Sequence, residues 1–191
     1  MIRTLPRYLT EAQMAQLLQA PGSTQPAGLR DRAILEVLYA TGLRASELCS
    51  LQVRDVTDRL VFVRCGKGQV QRYVPISRTA FTSVCDYLRA YPASADEPLF
   101  RTGPRQPMTR RRLHKALAAY ERGLGFPTGV HLLRHAAATR WLNHGLSIRQ
   151  VQWMLGHAQL ATTAVYLRVA TDALIRDYRR CLEPRGDGAS R

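Results

Sequence analysis

His131-Leu132-Leu133-Arg134 sets a histidine and an arginine three residues apart, a spacing that puts both on one face of a helix. Pro127, Thr128 and Gly129 precede them, so the pair falls in a first turn, where free N–H groups and partial positive charge suit a phosphate. Taken alone, such a pair is more often a solvated or structural one. The stretch Ala40-Thr41-Gly42-Leu43-Arg44-Ala45-Ser46-Glu47-Leu48 breaks one helix at a glycine and starts another, directing Arg44 out of the junction. Glu47, one turn on, is placed to hold Arg44; the competing reading is a surface ion pair of little weight. Leu155-Gly156-His157 ends a further helix and presents a histidine, with Tyr166 nine residues later. His157 by itself fits a capping or core role, and Tyr166 is one of eight tyrosines, a residue type that mostly packs.

The charge balance narrows the ligand class. Lys plus Arg total 28 against 14 Asp plus Glu, a net charge of +14, and such a surface attracts a polyanion. A membrane reading would want a basic amphipathic helix or a lipidation signal, and neither is evident. Nucleic acid is the stronger reading, with simple solubilisation by excess charge as its competitor. Only Lys67 and Lys115 are lysines. Arginine stays protonated and suits phosphate clamping, whereas lysine can give up a proton at an accessible pH. Cys49, Cys65, Cys85 and Cys181 lie far apart without a Cys-x-x-Cys pair, which argues against a zinc or redox site and for small core-filling thiols. No apolar run of about 18 residues is present, and the start MIRTLPRYLT lacks the apolar stretch of a signal peptide; a cytoplasmic location is expected.

The elements that must position these residues follow from periodicity. Thr10-Glu11-Ala12-Gln13 has the capping-box pattern, opening a helix that stops at Pro21-Gly22. From Leu29 a 3.6-residue period gives a buried helix ending at Gly42, followed by a shorter one holding Glu47, Leu48 and Leu51. Between Arg59 and Ile76 two β-branched runs flank Gly66-Lys67-Gly68-Gln69, which predicts a β-hairpin with Lys67 at its tip. Helices are expected at Thr79 to Arg89, Thr109 to Arg122, Val130 to His144, Ser147 to Leu155 and Ala161 to Leu167. A final amphipathic stretch places Ala170, Leu174, Tyr178 and Cys181 on one face, before a tail at 183–191 expected to be disordered. At 191 residues and 46% hydrophobic, the chain supports one core, and the fold class is mainly helical α+β with one small sheet.

Taken in order, these blocks resemble the tyrosine recombinase or phage integrase family. They are Thr-Gly-Leu-Arg-Ala-Ser-Glu-Leu, then Gly-Lys-Gly followed by Val-Pro-Ile, His-Leu-Leu-Arg-His-Ala-Ala-Ala-Thr, and Leu-Gly-His-Ala-Gln-Leu-Ala-Thr-Thr-Ala-Val-Tyr. The likeness runs from about Leu9 to Leu182. It implies the family's catalytic-domain fold over residues 1–182, with catalytic residues Arg44, Lys67, His131, Arg134, His157 and the nucleophile Tyr166. Two arginine forks would take the charge that builds on the non-bridging oxygens of a phosphodiester, and His157 would add a donor. Tyrosine, with a pKa of about 10, needs a proton acceptor, for which His131 is the candidate. Lys67, on a mobile hairpin tip, would return a proton to the leaving 5′ oxygen. The product implied is a 3′-phosphotyrosyl bond, with no cofactor or metal required.

The resemblance also implies partners. Double-stranded DNA is the substrate, and a tetramer on DNA is expected, with the C-terminal helix 169–182 seated on a neighbouring copy; folding back onto its own core is the alternative. Family members carry an N-terminal helical domain that closes over the duplex, and here the chain starts almost at the catalytic domain. That suggests either a naturally short recombinase, like those inverting fimbrial promoter segments, or a fragment or degenerate copy. Weaker DNA binding is then expected, helped by an accessory recombinase or a DNA-bending protein. Site-specific recombination or integration, as in mobile elements, is the leading expectation. Type IB topoisomerase-like relaxation and a non-catalytic DNA-binding regulator are the alternatives. The basic helix from Thr109, with Arg110, Arg111, Arg112 and Lys115, is a candidate DNA contact or a solvated face.

Overall fold

The sequence signals for helix starts are obeyed closely in the computed structural model, which describes residues 9–22, 25–64, 71–103, 106–156 and 166–183, with the backbone course alone over 166–172. Thr10 caps helix α1 (Glu11–Gln19), its side chain accepting from the Gln13 N–H while Gln13 reaches back to the Thr10 N–H at 3.0 Å, so two otherwise orphaned donors are satisfied reciprocally. Ser77 opens α4 (Arg78–Ala90), Thr109 opens α5 (Arg110–Leu124) and Ser147 opens α7 (Ile148–Met154) by the same side-chain bond to a first-turn N–H. Helix α6 spans Val130–Asn143 and has no side-chain cap at Gly129.

Helix α2 (Pro26–Thr41) starts three residues before the expected Leu29, because Pro26 occupies its first turn, where the missing N–H costs nothing and φ is already helical. It is the axis of the molecule: Ala33, Ile34, Leu35, Val37 and Leu38 are all buried, and α1, α4, α6 and strand β2 pack around it. It ends at Gly42, whose φ of 60° is left-handed, a conformation open to glycine at little cost. The chain turns directly into α3 (Ala45–Cys49) and then a 3-10 turn, Val53–Asp55.

Strands β1 (Leu60–Val63) and β2 (Arg72–Pro75) pair antiparallel with Phe62 opposite Tyr73, as the β-branched runs predict. The tip with Lys67, and with it Cys65, lies outside the described residues. The expectation of one small sheet is incomplete: β3 (Arg101–Gly103) and β4 (Gln106–Pro107) form a second antiparallel pair. These strands of three and two residues are too short for period-two alternation to register in sequence.

Helix α8 runs unbroken over Tyr166–Leu182, where separate elements near Ala161–Leu167 and from Ala170 were expected; residues 161–165 lie outside the described set. Its apolar face follows the alternative reading over the residues whose side chains are described: Leu174, Ile175, Tyr178 and Leu182 are buried in the chain's own core, against α6 and β2, while the side chains of 169–172 lie outside the described set. Removing each Leu or Ile side chain from water is worth about 1.5–3 kcal/mol, and the Tyr178 hydroxyl donates to the Ala40 carbonyl at 2.9 Å. Glu183, placed in the disordered tail by sequence, instead accepts from the Arg78 N–H at 3.0 Å; residues 184–191 lie outside the described set. Of the cysteines, Cys49, Cys85 and Cys181 are half-buried free thiols, and burial pushes the Cys49 thiol up to about 11 despite the charge of Arg110.

Candidate active site

The turn from α2 into α3 places Arg44 at the N-cap of α3 with extended backbone. Its N–H donates to Glu47 Oε2 at 2.8 Å, and its Nη1 lies 3.4 Å from Glu47 Oε1. Glu47 is not a surface carboxylate: it is only 5% exposed. Its strongest partner was not foreseen. Arg72, the first residue of β2 and 3% exposed, donates from Nη1 and Nη2 to the two Glu47 oxygens at 2.9 and 3.0 Å, the fork-to-fork geometry that suits arginine and carboxylate. Burial alone would push the Glu47 carboxyl up; the bonds and charge of Arg72, with the N–H and charge of Arg44, outweigh it and hold the group below its ordinary value. Glu47 is thus an anion throughout the neutral range, and Arg44 is positioned by a fixed charge.

Arg134 reaches the same place from α6. Its Nη1 donates to the Gly42 carbonyl at 2.6 Å and its Nη2 to the Leu155 carbonyl at 2.7 Å. These two oxygens belong to the residue two before Arg44 and the residue two before His157. Burial, together with the charges of Arg44 and Arg72 and against that of Glu47, draws the Arg134 pKa down to about 10. It remains a cation at neutral pH. Arg44, Arg72 and Arg134 against Glu47 leave two positive charges uncompensated among these four groups, a local excess suited to an anion in a partly desolvated setting.

His131 sits in the first turn of α6, exposed, one turn before Arg134. No side chain caps that helix start, so its N–H groups and positive end are available to an anion. Of the six residues singled out by sequence, the structure brings Arg44 and Arg134 together around Glu47 and places His131 on the same helix as Arg134. Lys67 and His157 lie outside the described residues, and for Tyr166 only its place as the first residue of α8 is described. Arg72 is the residue that the spacing argument missed. Its signal was the strand alternation itself, which aligns Arg72 with the buried Val74 on the inward face.

Helix α5 presents Arg110, Arg111, Arg112, His114 and Lys115 as exposed residues, while Leu113 and Leu117 face the core. Among the described residues, no helix is long and apolar enough to cross a membrane.

Comparison with known proteins fits this geometry. The model of the phage integrase family matches residues 7–172. The tyrosine recombinase XerD of Yersinia pestis is 43% identical over 180 residues, covering 89% of this chain and 60% of the relative. XerC of Herpetosiphon aurantiacus is 40% identical, covering 91% and 60%. The chain therefore spans about three fifths of the length of these curated relatives. Among solved structures, the XerA recombinase superposes with a TM-score of 0.73 at 31% identity, over 96% of this chain and 67% of that one. XerH bound to its difH substrate shares the fold at a TM-score of 0.66 and 22% identity, over 92% and 50%. The mainly helical core, the inward-facing arginines and these likenesses agree, and the chain belongs to the phage integrase family.

Proposed function

We propose that this chain is the catalytic unit of a site-specific DNA recombinase, spanning residues 1–182, that cuts and rejoins one DNA strand at a time through Tyr166. The observation that carries the reading is Arg134, whose bonds to Gly42 and Leu155 fix a guanidinium close to Arg44, on the helix whose first turn carries His131. Such an arrangement stabilises the charge that develops on a phosphodiester under attack. In the reaction, the Tyr166 phenol oxygen bonds to phosphorus as the bond to the 5′ oxygen breaks. His131 takes the phenol proton and Lys67 delivers one to the departing oxygen. Arg44, Arg134 and His157 hold the non-bridging oxygens. The product is a 3′-phosphotyrosyl link and a free 5′-hydroxyl, and attack by another 5′-hydroxyl reverses the step without an external energy source.

Double-stranded DNA is the substrate, which the net charge of +14 and the tyrosine recombinases among the relatives support, and the work is done where cellular DNA lies, in the cytoplasm. Strand exchange between two sites needs several active copies, so a homo-oligomer on DNA, with accessory recombinase or DNA-bending proteins, is part of the proposal. Its contacts use surfaces other than the buried face of α8. The relatives' identity as tyrosine recombinases favours recombination over site-independent relaxation of supercoils or binding without cleavage.

The test is to incubate the protein with genomic DNA, denature, recover DNA covalently bound to protein and sequence the trapped ends. Ends clustered at a defined sequence, absent with Tyr166→Phe, are the expected result. An adduct that persists in Tyr166→Phe would overturn the assignment.

A further inference from the structure

We propose that Arg72 is a positioning residue of the cleavage site: one buried guanidinium sets the placement of Arg44, through Glu47, and of the main chain at the end of α7. The inference rests on the recombinase reading above.

Strand β2 puts Arg72 on the same inward face as Val74, where the alternation calls for an apolar side chain. A buried ion pair is poor grounds for stability, since well-packed apolar residues of like volume generally serve as well. What the guanidinium supplies is direction. Nη1 and Nη2 grip Glu47 at 2.9 and 3.0 Å, and Glu47 holds the Arg44 N–H at 2.8 Å. Nε donates to the Met154 carbonyl at 2.8 Å, at the end of α7 and three residues before His157. Arg72 itself follows Lys67 by five residues.

The turn after α7 is shaped around this group. Gly156 has a φ of +69°, and a Cβ there would lie 2.7 Å from Arg72 Nη1 and 2.8 Å from Cζ. Glycine is required both by the left-handed backbone and by the guanidinium beside it. Arg134 bonds the next carbonyl along, that of Leu155, so adjacent main-chain oxygens of one turn are held by two arginines from different elements. Arg134 is half-buried, while Arg72 is enclosed. Lysine could supply the charge of Arg72, but not three directed donors in one plane.

If Arg72 acts through Arg44, its loss impairs chiefly the stabilisation of charge on the non-bridging oxygens. A methylphosphonate linkage replaces one of those oxygens with a methyl group, lowering the negative charge and thereby the demand on the arginines. The experiment uses the full chain and a nicked duplex built on the sequence recovered from the trapped ends, with either an ordinary phosphodiester or a methylphosphonate at the cleaved position. Single-turnover strand cleavage and thermal melting are measured for wild type, Arg72→Met and Arg72→Lys.

On the phosphodiester, Arg72→Met is expected to slow cleavage about 100-fold, the low end of the range for losing a charge-stabilising donor, and Arg72→Lys, which keeps the cation, less, about 10-fold. On the methylphosphonate, each variant should fall much less relative to wild type on that substrate. Arg72→Lys, which keeps a cation beside Glu47, decides the matter if Arg72→Met does not fold. Wild-type rates in the folded variants overturn the proposal. So do equal losses on both substrates, or failure of both variants to fold, each of which marks Arg72 as merely structural. A wild type inert on both duplexes overturns the recombinase reading itself, and this inference with it.

Discussion

Arg134 donates to the main-chain oxygen of Leu155 at 2.7 Å, across 21 residues of sequence. With the second bond, to Gly42 at 2.6 Å, it ties the turn leading to Arg44 to the turn leading to His157. A lysine ammonium at this position cannot span both carbonyls and present a fork to a phosphate. Arg134→Lys is expected to slow formation of the covalent DNA adduct by about 10²–10³, the usual cost of one charge-stabilising donor. Single-turnover rates measure this, and a loss under twofold would contradict the role.

Tyr166 and Lys67 are separable by chemistry. Tyr166→Phe removes the nucleophile and should leave no adduct. Lys67→Ala should slow cleavage by about 10²–10⁴, as for a lost general acid. A substrate with sulfur in place of the bridging 5′ oxygen should restore most of that rate, because a thiolate departs without a proton. If Lys67→Ala proves equally slow on both substrates, the proton-donor assignment is wrong.

Much of this was legible in the residues, and the gaps have physical causes. Helix starts at Thr10, Ser147 and Thr109 announce themselves because a cap depends on two or three adjacent residues. The break at Gly42 was readable for the same reason. Arg44 and Arg134 were identified by family spacing, but that they meet over a buried Glu47 depends on contacts across 25 to 92 residues, which no local pattern encodes. Arg72 looked like one more arginine among many, although period-two alternation marked it as inward-facing. The apolar stripe of α8 was correctly read as a surface needing cover. Periodicity does not say whether that cover comes from the same chain or another, and here it comes from the same chain.

Gly42 is constrained twice. Its φ is +60°, and a Cβ would lie 2.9 Å from Trp141 Cη2 and 3.1 Å from Leu155 Cδ2, both in well-packed surroundings. Left-handed backbone alone costs an L-residue about 1–2 kcal/mol. Gly42→Ala should therefore lower stability in urea by at least that amount. It should also slow adduct formation, because the Gly42 carbonyl is one of the Arg134 acceptors. A midpoint shift with an unchanged rate would separate stability from site geometry.

Glu36 makes the opposite kind of contribution from Glu47. Burial raises its pKa above the ordinary value, against the nearby charges of Arg32 and Arg140. A carboxyl whose folded pKa is raised costs stability above that pKa, and the cost disappears as pH falls and the group protonates. Glu36→Gln should thus raise the melting temperature at pH 8 and change it little at pH 4. A larger gain at pH 4 than at pH 8 would reverse the sign of this argument.

Tyr178 is fully enclosed and donates to Ala40. Tyr178→Phe leaves that buried carbonyl without this donor, at a cost of about 1–3 kcal/mol. Urea denaturation should register the loss, and adduct formation should decline as well, since α8 begins at Tyr166. Unchanged unfolding would mean that the helix is not anchored by this hydroxyl.

The acceptors chosen by Arg134 have a consequence for how the site tolerates change over generations. Gly42 and Leu155 offer oxygens of the polypeptide backbone, present whatever side chain a codon specifies. Point mutation can delete the donor, but it cannot delete either acceptor; it can only displace one by bending the chain. The clamp is therefore inherited with the path of the main chain, and the side chains around it are free to drift so long as that path survives.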